Sequence, residues 1–213
     1  MDEQHLKIWE VLFQRALDLI DSASCAGTEL QDWSFGGGTV LMRRHHHRFS
    51  KDIDIFFSDP QFLGYLTPRL NDKAESLTSD YIEQAGFLKL IFPEGEIDFV
   101  ASAPLTRNPA ITEKLFGREV RVETSTEIIA KKLWHRGEQF TARDIFDLAM
   151  VIENEPDALN EITPVLEERR EAVQRRIATQ ETALREAFGE LEVLDYTRSF
   201  DECIQLLNKC FGK

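Results

Sequence analysis

Two aspartates spaced two apart, Asp52 and Asp54, lie in the run KDIDIFFS at residues 51–58. Alternation that turns continuously apolar predicts a largely buried strand there. Residues two apart on a strand project from one face, so both carboxylates would stand together while Ile53 and Ile55 point into a core. Such carboxylates repel, and a divalent cation relieves the repulsion. Hard oxygen donors suit Mg2+, which also bridges substrate phosphates. Asp98, inside the apolar run EIDFV, is a third acid that a neighbouring strand would bring to the same ion. Upstream, Gly36-Gly37-Gly38 precedes Thr39 and a short predicted helix at residues 39–47. Glycines let the backbone approach a ligand, unpaired N–H groups at a helix start face an anion, and Thr39 adds a hydroxyl, an arrangement that suits a phosphate. Each feature alone has a plain reading: a tight turn, a solvated Asp-x-Asp at a strand edge, a solvent-facing Asp98. Their order along the chain makes them one set.

The elements that must position this set follow from periodicity. Apolar residues from Leu6 to Ile20 recur at helical spacing and predict a helix over residues 3–24. Residues 33–35 form a short strand running into the glycines. Pro60 and Pro68 punctuate a helical stretch to about Leu77. Residues 87–92 and 96–100 flank Pro93-Glu94-Gly95 and predict a hairpin, and residues 119–123 alternate as a further strand. The chain then turns helical. Thr124 to Glu127 and Thr141 to Asp144 have capping-box spacing and open helices to Arg136, before Gly137, and to about Glu153. After Pro156 the composition shifts to Glu and Arg with few strand formers, predicting two or three helices with a break near Gly189. The fold class is α+β: a mixed sheet flanked by helices over residues 1–155, then a helical C-terminal region over residues 156–213 packed on it.

Composition removes several alternatives. The 213 residues carry a net charge of −13, so a general basic coat for nucleic acid is excluded, while a local basic patch is not. Residues 39–51 hold four Lys or Arg and no acid, and residues 131–143 hold four against one acid. These segments read as an electrostatic funnel for nucleotide phosphates or an RNA end, against the plainer reading of a balancing surface. No apolar run approaches the roughly 18 residues of a membrane span. The acidic N-terminus is unlike a signal peptide, and the three cysteines, with no Cys-x-x-Cys, read as reduced thiols of a cytoplasmic protein. His45, His46 and His47 point about 100° apart on a helix and lack a Cys cluster, which argues against zinc.

The ordered set resembles the nucleotidyltransferase superfamily with a polymerase-β-like core, and more closely the AbiEii/AbiGii-type toxin family. That family's Gly-Gly-Thr and Arg-x-Ser-x-Asp-x-Asp motifs are matched by Gly37-Gly38-Thr39 and by Arg48-Phe49-Ser50-Lys51-Asp52-Ile53-Asp54. Its later motifs are matched by Ala130-Lys131-Lys132 and by Arg143-Asp144-Ile145-Phe146-Asp147. The extra Gly36 and the tandem lysines are departures, and Lys132 is the preferred site lysine.

The resemblance implies Mg2+-dependent transfer of a nucleoside monophosphate from a nucleoside triphosphate (NTP) to an acceptor hydroxyl. Asp52, Asp54 and Asp98 would be the catalytic and metal residues, with Asp98 either a ligand or the proton acceptor. Gly37, Gly38, Thr39, Ser50, Lys132, Arg143, Asp144 and Asp147 would line the nucleotide site. From the residues alone, Asp144 has an alternative as a helix cap and Asp147 as an intrahelical partner of Arg143. The resemblance further implies the toxin half of a toxin–antitoxin pair acting on tRNA, with a protein or small-molecule acceptor as the alternative. The rival from another class is a nucleotide-binding regulatory module without catalysis.

Overall fold

The computed structural model describes residues 5–25, 30 and 32–212. Its contacts divide the chain into two compact units: Met1–Val40, Ser50–Pro104 and Ala110–Glu123 form the first, and Leu41–Phe49, Leu105–Pro109 and Thr124–Lys213 the second. Residue 155, the boundary expected from composition, falls inside the second unit.

The first unit holds a seven-stranded mixed sheet: β1 (Ser34–Gly36), β2 (Ile53–Phe57), β3 (Tyr81–Gln84), β4 (Phe87–Phe92), β5 (Gly95–Ala101), β6 (Ala110–Leu115) and β7 (Arg118–Glu123), in the order β3-β4-β5-β2-β1-β7-β6. β2 runs parallel to β5 and antiparallel to β1, which is parallel to β7. Helix α1 (Ile8–Cys25) buries Leu12, Phe13, Ala16, Leu17, Leu19 and Ile20, the stripe foreseen from sequence; residues 3 and 4 of that predicted helix lie outside the described residues.

Register explains how the sheet divides its labour. Phe35, Ile55, Phe99, Leu88 and Val122 are paired across five strands and are all fully buried. Phe13 of α1 stacks on Phe35 with ring centroids 4.4 Å apart, so this rung faces the helix. Side chains alternate along a strand, so the next rung, Gly36–Asp54–Asp98–Lys89, faces the other way. Burial of the first rung therefore fixes the placement of the charged one, because a one-residue slip would exchange them.

Sequence missed the edge strands β3 and β6. The 60–77 stretch is not one helix but a 3-10 turn at Pro60–Tyr65 followed by α3 (Asp72–Leu77), which Asn71 caps. β2 is shorter than predicted, and Asp52 lies one residue before it. No helix among the described residues is long and apolar enough to cross a membrane.

The second unit is helical: α4 (Ser125–Arg136), α5 (Ala142–Asn154), α6 (Ala158–Thr179), α7 (Glu181–Gly189) and α8 (Phe200–Phe211). Helix α2 (Gly37–His45) begins in the first unit and continues in the second from Leu41. Thr141 and Asp144 form the reciprocal capping box foreseen for α5. At α4, Thr124 accepts from the Glu127 N–H, but the Glu127 carboxylate turns instead to the N–H groups of Leu105 and Thr106. Helix α4 packs on α6, and α5 on α8.

Around the fully buried Asp147, the second unit builds an ion cluster. Arg48 grips it with both ends of the guanidinium, Nε to Oδ1 at 2.7 Å and Nη2 to Oδ2 at 2.8 Å. His47 Nε2 lies 2.8 Å from Oδ1, and Lys132 Nζ lies 3.1 Å from Oδ2 and 2.7 Å from Asp144 Oδ1. Two carboxylates thus meet two largely buried permanent cations, with the exposed Arg136 3.6 Å from Asp144 Oδ1 as a third. Burial pushes the Asp147 carboxyl up, but Arg48, Lys132 and the His47 hydrogen bond outweigh it and hold the acid well below its usual range. Burial lowers the His47 pKa, against the opposing pull of Asp147, so the ring is neutral and donates from Nε2.

Breaking a buried pair from one side leaves an uncompensated charge. Arg48→Met is therefore expected to destabilise the protein by about 3–5 kcal/mol in urea unfolding. A loss under about 1 kcal/mol would show that the cluster carries little stability. The depressed His47 pKa means that the unfolded chain takes up a proton the native ring refuses. Stability is then complete above about pH 6.5 and declines as pH falls below it. His47→Gln, which keeps a donor, is expected to flatten that part of the profile of melting temperature against pH. Asp147 adds a second decline only in acid, below about pH 4.

Candidate active site

The charged rung of the first unit meets the start of α2 at Gly37. That residue has φ +75°, and a Cβ there would lie 1.9 Å from Asp54 Oδ2. The Asp54 carboxylate thus rests against the glycine Cα, at the positive end of the helix dipole. Only glycine satisfies both the backbone angle and the space. Gly36 is constrained in the same manner from the other side. A Cβ there would meet Glu123 Oε2 at 2.3 Å and the Phe56 ring at 2.8 Å. Of the three glycines, the first two are needed for packing against side chains, and Gly38 is partly exposed in the first turn of α2.

Thr39 is placed differently from the phosphate-gripping role expected of it. Thr39 is fully buried, its hydroxyl donates to the Asp52 carbonyl at 2.6 Å, and it lies 3.1 Å from Ser50 Oγ. This hydroxyl ties the first turn of α2 to the segment leading into β2, so its function here is to fix the Asp52–Asp54 backbone. Ser50 is part-exposed beside it.

The three acids do not form the single same-face cluster that strand alternation implied. Asp54 and Asp98 are directly paired on the parallel strands β2 and β5, so their backbones are about 5 Å apart and their side chains share a face. Asp52, outside the strand, accepts the Glu96 N–H at 3.1 Å through Oδ1. Among the described residues, no three His, Cys, Asp or Glu side chains converge on a point suited to a metal ion. All the donors are hard carboxylate oxygens, however, and Mg2+ is usually held by one or two carboxylates with phosphate and water completing its shell. The residues fit an ion of that kind and not a three-acid cage. Burial raises the Asp98 pKa, against the opposing charge of Lys89 on β4.

Lys132, Arg143, Asp144 and Asp147 belong to the second unit. Lys132, with 11% of its side chain exposed, is held between Asp144 and Asp147. Lys131 is more buried and lies 3.5 Å from Glu127, so Lys132 is the lysine that engages the Arg-Asp motif. Both oxygens of Asp144 are used: Oδ2 by the Thr141 N–H and hydroxyl, Oδ1 by Lys132. Asp147 pairs with Arg48, His47 and Lys132, not with Arg143, which is exposed. In this unit the motif therefore builds a buried ion cluster.

Sequence reasoning missed three charged residues of the first unit. Glu123 is buried beside Gly36 and accepts the Ser34 hydroxyl at 2.8 Å. Lys89 and Glu96 flank Asp98, with Lys89 Nζ 3.3 Å from Asp98 Oδ1 and hydrogen-bonded to Glu96. Lys89 had a signal: it is the one charge in the strand FLKLIF.

The fold is similar to those of solved nucleotidyltransferases. A candidate nucleotidyltransferase from H. pylori superposes with a TM-score of 0.55 at 15% identity, covering 100% of this chain and 95% of that one. The nucleotidyltransferase toxin MenT4 from Mycobacterium tuberculosis H37Rv gives 0.52 at 16% identity, with 97% and 82% covered. The antibiotic-resistance factor ANT(2'')-Ia gives 0.51 at 17% identity, with 86% and 98% covered. At these identities the likeness speaks for the fold. A search of curated proteins gives no match. The sequence itself matches a family over residues 22–209, nearly the whole chain, and that family is the nucleotidyl transferase AbiEii toxin of type IV toxin–antitoxin systems. That match shows the chain to be a member of the AbiEii family, a nucleotidyltransferase toxin.

Proposed function

We propose that this nucleotidyltransferase transfers a nucleoside monophosphate from an NTP to the terminal hydroxyl of a tRNA, with Mg2+ held at Asp54 and Asp52. The observation that carries the reading is the Asp54 carboxylate, backed by Gly37 at the start of α2 and paired in register with Asp98. Mg2+ held by these carboxylates would supply positive charge to stabilise the charge that develops as pyrophosphate leaves. The N–H groups of the first turn of α2, at Gly37 and Gly38, face incoming phosphate, and the Thr39 hydroxyl keeps the Asp52–Asp54 backbone against that turn. The acceptor oxygen forms a bond to the α-phosphorus as the bond to the bridging oxygen of the β-phosphate breaks. Asp98, with its basicity raised by burial, takes the acceptor proton. Lys132 is the second unit's candidate for phosphate charge, with Asp144 and Asp147 fixing its ammonium.

The RNA acceptor is supported by the two basic segments in an otherwise acidic chain. Family membership brings an antitoxin as the genetic partner. A small-molecule acceptor is the second reading, favoured by the likeness to ANT(2'')-Ia.

The deciding experiment supplies purified protein with Mg2+, each α-labelled NTP in turn and total tRNA. Label is expected on tRNA with one or more NTPs. Asp54→Asn, which keeps the packing on Gly37, is expected to cut the rate about a hundredfold or more while leaving the melting temperature within a few degrees. Label on a small hydroxylated acceptor, with tRNA unlabelled, would replace the RNA reading with the second one. Undiminished transfer by Asp54→Asn would overturn the assignment of the metal site.

A further inference from the structure

Lys89 stands opposite Asp98 in the antiparallel pair β4–β5, at the end of the rung that continues through Asp98 to Asp54. The alternation of FLKLIF buries Leu88, Leu90 and Phe92 on one face of the sheet and leaves Lys89 on the face of the acids. Its ammonium hydrogen-bonds Glu96 and lies 3.3 Å from Asp98 Oδ1, bridging two carboxylates spaced two apart on β5. The strand order β4-β5-β2 puts Asp98 between Lys89 and Asp54, so the ammonium approaches Asp98 from the flank away from Asp54.

A permanent cation already at a carboxylate competes with a divalent ion for the same oxygens and repels it at close range. The side chains of Lys89 and Asp98 are each only 21% exposed, so water screens the pair less than it would on the open surface. We propose that Lys89 is a positioning residue that reserves Asp98 from metal ligation, so that the nucleotide-free protein takes one divalent ion at Asp54 and keeps Asp98 available as the proton acceptor. The proposal rests on the reading of Asp54 as a metal ligand, and it chooses between the two roles that the sequence left open for Asp98.

The test is Mn2+ binding to the nucleotide-free, full-length protein, measured by calorimetry and by the electron paramagnetic resonance of free Mn2+. Wild type is expected to bind one ion, Asp54→Asn to lose it, and Asp98→Asn to retain it within about threefold. Lys89→Met opens Asp98 to the cation and is expected to tighten binding about tenfold or to add a second ion. Lys89→Arg keeps the charge and is expected to behave as wild type. In the Lys89→Met/Asp98→Asn double variant the gain is expected to vanish, a dependence that a purely structural role for Lys89 would not produce. Lys89→Gln is a second test variant should the methionine perturb the sheet. Loss of the ion in Asp98→Asn, or unchanged binding in both Lys89→Met and Lys89→Gln, would overturn the proposal. Absence of Mn2+ binding by the wild type, or binding indifferent to Asp54→Asn, would overturn the reading of Asp54 itself and the proposal with it. The two failures are told apart by which variant departs from expectation.

Discussion

The carboxylate of Asp54 occupies the space that a side chain at residue 37 would need, and the acidic site is arranged around that single steric fact. It requires a glycine with a left-handed backbone at the point where β1 gives way to α2. It brings an acid to the helix N-terminus, where N–H groups lacking intrahelical partners are concentrated. Register does the rest. The apolar rung through Phe35, Ile55 and Phe99 is committed to α1, which leaves Gly36, Asp54, Asp98 and Lys89 to face the opposite side together. The proposed chemistry thus depends on apolar packing one residue away from each of these groups.

The second unit solves a different electrostatic problem. Asp147 and Asp144 are fully buried, and burial of ionised carboxylates is tolerated only with close, well-oriented counter-charges. Arg48 supplies a planar, two-pronged grip that a lysine would not reproduce. Lys132 spans both acids, and the neutral His47 contributes a donor without adding charge. The Arg-Asp-x-x-Asp segment is therefore as much a folding device as a candidate for nucleotide chemistry.

Much of this was legible in the sequence, for identifiable reasons. The alternation in β2 and β5, the amphipathic α1 and the capping box at Thr141 are local patterns with strong periodic or hydrogen-bonding signatures. The edge strands were not legible. YIEQ is almost wholly exposed and AITEKL is half exposed and half intermediate, and neither carries the buried face that alternation reports. The partner of Asp147 was hidden because Arg48 lies 99 residues away, whereas Arg143 offered a deceptive neighbour one helical turn back. Asp52 misled because strand geometry was extended one residue too far, into a segment governed by the Thr39 hydroxyl and the Glu96 N–H. Lys89 was within reach. The two-residue turn at Pro93-Glu94 pairs Phe92 with Gly95, and counting back along both strands sets Lys89 against Asp98.

The tight contacts at Gly36 and Gly37 also have a genetic consequence. Every missense change reachable from a glycine codon by a single base introduces a residue with a Cβ. At these two codons that atom would collide with Glu123 or with Asp54 itself. In cells that must escape the toxin to survive, these codons form a compact mutational target at which an amino-acid change would crowd the Glu123 or Asp54 carboxylate without altering a single acidic residue. Escape lesions gathering at Gly36 and Gly37 would then be a signature of crowding, and they would trace the outline of the site from the side that carries no functional group.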